Sequence, residues 1–269
     1  REIPWIRLNR QSLIQFGHGR YQRRIQATVT GNTGQIAVDL ASDKEEANRI
    51  LADLGLPVPR QYVAYDAKRA VRAAERIGYP VVIKPLNANH GRGVTTHLEN
   101  PQDVEIAFEK AREHHRAVIV ESFIQGLDHR LLVVNGELVA AAKRVPGHVV
   151  GDGSSSLEAL VDEVNADPRR GVGHEKVLTR LEFDDQAERM LTELGYSRET
   201  VPAAGEVVYL RTTANLSTGG TAIDVTDIIH PDNRDMAVRA IKAIDLDVGG
   251  VDFLTTDIAK SYRETRGAI

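Results

Sequence analysis

The sequence predicts an α+β protein in two lobes, on three observations. From Ser42 to Ser122, helical periodicity alternates with short β-branched runs. From Arg130 onward antiparallel hairpins dominate, beginning with Arg130–Val134 and Glu137–Ala142 around Asn135-Gly136, a pair suited to a tight two-residue turn. Between about 147 and 205 the β-branched runs thin out, and a helical insertion is expected. Blocks segregated in this way build α+β layers rather than a doubly wound sheet.

In order along the chain, residues 1–26 are basic and aromatic and read as a solvated edge of an upstream domain, with Arg23 and Arg24 facing an anionic substrate as the alternative. Ser42-Asp43-Lys44-Glu45 reads as a capping box with Ser42 as N-cap; Ala47, Ile50, Leu51 and Leu54 follow at helical spacing, and Gly55 ends the helix. Pro57 and Pro59 force an extended link into a strand at Gln61–Val63. A second helix spans Ala67–Ile77 and stops at Gly78. The run Val81–Pro85 is a buried strand ending on a lysine, the loop Asn87–Gly93 follows, and a second extended run covers Gly93–His97. Asn100-Pro101 supplies a cap and an N1 proline to a third helix reaching about Glu113, before a buried strand at Ala117–Ser122. Beyond the insertion, sheet texture resumes at Val207–Thr212, His230-Pro231 opens a helix to about Ile244, and Val251–Thr255 is a strand. Gly267-Ala268-Ile269 reads as the start of another strand, so a piece of a longer chain is expected.

Composition narrows the function classes. With 269 residues, 42% hydrophobic and 27% charged, the chain can bury one large core or several compact subdomains. A net charge of −4 argues against nucleic-acid binding through bulk electrostatics. The absence of cysteine excludes disulfides, thiolate metal sites and a cysteine nucleophile. No bilayer-spanning run or signal-peptide core is visible, so a cytoplasmic protein without membrane partners is expected. Neither a P-loop nor a Rossmann glycine fingerprint occurs, yet Lys84 at the end of an apolar strand, followed by a glycine-bearing loop, suits phosphate. The alternative for Lys84 is a buried carboxylate partner.

Several motifs occur together in one order: Ser42-Asp43-Lys44, Val82-Ile83-Lys84-Pro85, Val120-Glu121-Ser122-Phe123-Ile124, Gly126-x-Asp128-x-Arg130, Ser217-Thr218-Gly219-Gly220 and Gly250-Val251-Asp252. With them the chain resembles the ATP-grasp ligases over nearly its whole length. The segments Asn89-His90-Gly91-Arg92-Gly93, Asp167-Pro168-Arg169-Arg170-Gly171 and Gly173-His174-Glu175-Lys176 make it similar, more narrowly, to the ATP-grasp domain of the cyanophycin synthetases. That resemblance implies two lobes clamping ATP, at 41–124 and 125–269, after the tail of an upstream substrate-binding domain and a linker at 1–40. It also implies ligation of a carboxylate to an amine through an acyl phosphate, adding aspartate to a poly-aspartate backbone. The partners implied are aspartate, an acidic aspartate/arginine polymer and, through a longer parent, a symmetric homo-oligomer.

The resemblance also assigns roles. Lys44 and Lys84 are implied to hold the nucleotide, the loop of Asn89, Gly91, Arg92 and Gly93 to close on its phosphates, and Glu121, Ser122, Phe123 and Ile124 to read adenine through backbone groups. His90 is either a general base or substrate-orienting residue, or an anchor of its own loop. Arg130 and Arg211 are implied to stabilise the acyl phosphate, and the amides of Ser217, Thr218, Gly219 and Gly220 to bind the growing chain's carboxylate. Asp252 is implied to ligate magnesium, with a Glu-x-Asn pair expected just past Ile269, so impaired turnover is expected of this chain alone. Arg169, Arg170, Lys176 and Arg180 give the insertion local positive charge, read as a solvated helical face rather than a polymer guide. The competing readings are a glutathione- or dipeptide-forming ATP-grasp ligase, and a nucleotide-binding module without catalysis.

Overall fold

The computed structural model describes residues 2–86, 93–173 and 175–269. Strands β1 (Trp5–Arg7), β2 (Leu13–Phe16), β3 (Arg23–Gln26) and β4 (Val29–Thr30) form an antiparallel sheet in chain order. Trp5 stands opposite Phe16, and Phe16 opposite Arg23, so the aromatic and basic residues of this stretch share a face.

Helix α1 (Gln35–Ser42) leads directly into α2 (Lys44–Asp53). The cap between them is Asp43 rather than Ser42: the Asp43 carboxylate accepts from the Glu45 and Glu46 amides at 3.0 Å, whereas Ser42 donates its hydroxyl to the Val38 carbonyl inside α1. Two good caps stand side by side, and the one whose backbone leaves the helix takes the role. Next come β5 (Gln61–Ala64), α3 (Ala67–Ile77), β6 (Val81–Pro85), β7 (Thr95–Leu98), α4 (Pro101–Arg112) and β8 (Val118–Ser122). These strands make a sheet ordered β5-β8-β6-β7, against which α3 and α4 bury Ala70, Ala74, Val104 and Phe108. Asn100 caps α4 with Pro101 behind it, as the sequence predicts.

The hairpin β9 (Leu127–Val134) and β10 (Glu137–Val145) turns at Asn135 and Gly136, both at positive φ. Then follow β11 (His148–Val150), α5 (Leu157–Asn165), β12 (Arg170–Gly171), β13 (Leu178–Thr179), α6 (Asp185–Glu193) and β14 (Val207–Tyr209). The stretch expected to be helical thus has two helices and two short strand pairs, β11 with β14 and β12 with β13. It closes around a core of its own that includes Val149, Leu157, Leu160, Leu181, Leu191 and Leu210. A single turn at Leu216–Thr218 precedes β15 (Thr221–Asp224), α7 (Pro231–Ile244), β16 (Val248–Thr255) and α8 (Tyr262–Thr265). Past α8, Ala268 bridges Leu254 antiparallel and the Ile269 amide donates to the Pro57 carbonyl.

The chain forms two compact units that are not sequential. The first contains Arg1–Gly126, Leu131–Ala140 and Asp227–Ile269, and the second Leu127–Arg130 and Ala141–Thr226. Among the described residues, no helix is long and apolar enough to cross a membrane.

Candidate functional site

The first unit holds a cavity of about 440 Å³ that gathers Lys44, Lys84, Glu121 and Asp252. Its size is within the range of small-ligand sites. Each charged group arrives from a different element. Lys44 is the first residue of α2 and is exposed, beside the Asp43 cap that fixes the helix start. Lys84 lies near the end of β6, after three buried apolar residues, and Glu121 near the end of β8. Asp252 stands on β16, where alternation buries Val251 and Phe253 and turns Asp252 to the opposite face. Apolar wall comes from Leu51, Ile241, Ile244 and Val251.

Lys84 Nζ donates to Glu121 Oε2 at 2.6 Å, with the two side chains 31% and 16% exposed. The carboxylate partner weighed for Lys84 is thus present, and the residue also lines the cavity. An ammonium half out of water needs such a partner until an anion replaces it.

Among the described residues no group of three or more His, Asp or Glu side chains could hold a metal ion. One exposed carboxylate lining a cavity with two lysines suits an ion shared with substrate phosphates, the usual habit of magnesium.

Of the residues expected to read adenine, Glu121 lines the first cavity, whereas Ser122, Phe123 and Ile124 line a second cavity of the first unit, about 660 Å³, with Tyr79, Tyr262 and Arg266. The Ser122 amide donates to the Arg60 carbonyl at 2.9 Å and the Phe123 amide to the Pro80 carbonyl at 3.1 Å. Two of the expected donors are thus engaged by the protein. Phe123 packs edge-on against His97 at 5.0 Å, and His97 holds a positive φ of 58°.

Asn89, His90, Gly91 and Arg92 lie outside the described residues, as does His174. Gly93 is described. Its φ is 69°, and a Cβ there would come within 2.5 Å of the His114 ring and 3.0 Å of Pro85, so the position needs glycine for packing.

The other expected residues belong to the second unit. Arg130 is exposed on β9, between buried His129 and Leu131. Nearby, Arg144 forks onto Asp128 Oδ1 at 2.6 and 3.0 Å, a pair that no periodicity in the chain marks. Arg211 is buried, 4% exposed, with its guanidinium on the Leu210 and Glu182 carbonyls and on Asp184 at 3.1 Å. These partners hold its guanidinium inside the second unit. The Ser217–Gly220 loop is also tighter than expected. The Thr218 and Gly220 amides both donate to Asn215 O and the Gly219 amide to Leu216 O, so three of its four amides face inward. Ser217 is the exposed member.

Arg170 overturns the expectation of a uniformly solvated basic face. Arg169 is exposed and chelates Asp167, holding that carboxyl at about 2, while Arg170 is 6% exposed. Burial lowers the Arg170 guanidinium from its ordinary value, against the opposing pull of Asp167. Two adjacent arginines in a polar stretch carry no signal of which one turns inward; the short strand β12 decides it.

Residues 38–157 match a family model described as an ATP-grasp domain. A crystal structure of a bifunctional glutathione synthetase from Pasteurella multocida shares the fold with a TM-score of 0.75 at 29% identity, over 96% of this chain and 36% of that one. The chain has the ATP-grasp fold. Within that class it is similar to the cyanophycin synthetases: 50% identical over 270 residues to that of Trichormus variabilis, covering 100% of this chain and 30% of the relative. The Synechocystis cyanophycin synthetase is 47% identical over 275 residues, covering 100% of this chain and 31% of its own. A glutathione biosynthesis bifunctional protein of Desulfotalea psychrophila is 34% identical over 255 residues, covering 93% and 33%. The chain spans about a third of the length of these relatives.

Proposed function

We propose that this chain is the nucleotide-binding part of an ATP-dependent carboxylate-amine ligase that adds aspartate to the poly-aspartate backbone of cyanophycin. The observation that supports this most is the convergence of Lys44, Lys84 and Asp252 on one cavity of an ATP-grasp fold. In this reading a carboxylate oxygen of the growing chain attacks the γ-phosphorus of ATP and ADP departs. The amine of aspartate then attacks the acyl carbon, inorganic phosphate leaves and a proton is lost from nitrogen. A magnesium ion held through Asp252 would neutralise phosphate charge. Lys84 exchanges Glu121 for a phosphate oxygen when ATP arrives, and Lys44 supplies a second cation from the start of α2. Ser217 presents the acceptor-facing hydroxyl of its loop.

The likeness to glutathione-forming proteins supports a second reading, in which the acceptor is a dipeptide. The test uses a full-length protein containing this chain. Mg-ATP is supplied with an aspartate/arginine primer plus aspartate, or with γ-glutamylcysteine plus glycine. ADP release in the first mixture alone supports the proposal; release in the second alone replaces it with the glutathione reading.

A further inference from the structure

Arg170 belongs to a segment for which the proposed reaction has no use, yet its cation is sunk into the second unit. Its Nη1 donates to the Thr179 carbonyl at 2.5 Å and to the Gly219 carbonyl at 3.0 Å. One guanidinium thereby ties the parallel pair β12-β13 to the turn that presents Ser217. The packing around that turn is equally close. Gly219 stands at φ 94°, and a Cβ on it would lie 2.6 Å from Leu181 Cδ2 and 3.3 Å from the Arg180 carbonyl. A Cβ on Gly220 would lie 2.7 Å from the Asn215 carbonyl. The Thr218, Gly219 and Gly220 amides are spent inside the turn, and the Gly219 carbonyl is where Arg170 grips it from outside.

We infer that Arg170 is a positioning residue: it locks the Gly219 carbonyl and so aims Ser217 at the carboxylate of the acceptor chain. The inference rests on the proposed role of the Ser217 loop as an acceptor site. Planarity matters, because one Nη1 of a guanidinium serves two carbonyls in fixed directions where an ammonium serves them as a point charge.

The experiment measures binding to the 269-residue chain by calorimetry, with two probes. One is a synthetic poly-aspartate peptide carrying arginine on its side chains, and the other a non-hydrolysable ATP analogue. Arg170→Met is expected to weaken the peptide about tenfold and to leave the analogue within twofold; Arg170→Lys is expected to recover part of the loss. Unchanged peptide affinity in Arg170→Met overturns the inference. So does faster amide hydrogen exchange across α5 and α6 in Arg170→Met, which marks a general loss of packing in the second unit. If Arg170→Met does not fold, Arg170→Lys decides, with a selective loss of a few-fold in peptide affinity expected and no change overturning the idea. Ser217→Ala separates the two layers. Weakening by Ser217→Ala with no effect at Arg170 defeats only the positioning role, whereas no effect of Ser217→Ala defeats the acceptor-site reading and the inference with it.

Discussion

At the residue scale, the Lys84–Glu121 pair sets the terms on which an anion enters the first cavity. The 2.6 Å contact satisfies a half-buried ammonium, so a phosphate must compete with a carboxylate already in place. Glu121→Gln keeps the backbone and removes the competing charge. It is expected to raise affinity for a non-hydrolysable ATP analogue by a few-fold, equivalent to about 1 kcal/mol. A tenfold fall would instead mean that the carboxylate itself contacts the nucleotide. Lys84 was legible because an apolar strand rarely ends on a charge without a use for it. Arg170 was not, since its burial comes from tertiary packing and leaves no periodicity in the sequence. Glu121 was legible only as part of a backbone motif, and its side chain proves to matter through a partner 37 positions away.

At the element scale, caps and turns do most of the positioning. Asp43 holds the first turn of α2, the turn that carries Lys44. Asp43→Ala removes two capping hydrogen bonds and is expected to lower stability by about 1 kcal/mol, read by urea denaturation. The glycines divide by what surrounds them. Gly219→Ala meets both a positive φ and Leu181, and is expected to cost about 2–4 kcal/mol by combining backbone strain with overpacking. Gly195→Ala, at φ 72° with open space around it, is expected to cost only about 1 kcal/mol from the backbone. Equal losses in thermal unfolding of the two variants would contradict this account. Helix ends such as Asn100-Pro101 and the Asn135-Gly136 turn were legible because their signals are local. The β12-β13 pair was not, since strands of two residues with few β-branched side chains leave no alternation to read.

At the scale of the whole molecule, two compact units with separate cores account for a fold class that the alternation of sequence textures already indicated. The second unit's core is closed enough to be damaged by itself. Leu191→Ala, at a position 1% exposed, is expected to cost about 2–5 kcal/mol and to speed amide hydrogen exchange in α5 and α6. Affinity for an ATP analogue, which rests on the first unit, is expected to stay within twofold. What was not legible is that the units interleave along the chain, because the hairpin β9-β10 contributes its turn to one and its base to the other. The central claim is that the cavity shared by Lys44, Lys84 and Asp252 receives ATP. Calorimetry with a non-hydrolysable ATP analogue and magnesium, on this chain and on Lys84→Met, tests it most directly. Binding by the unaltered chain, weakened at least tenfold in Lys84→Met, is the expected result; equal affinity in the two proteins would contradict it.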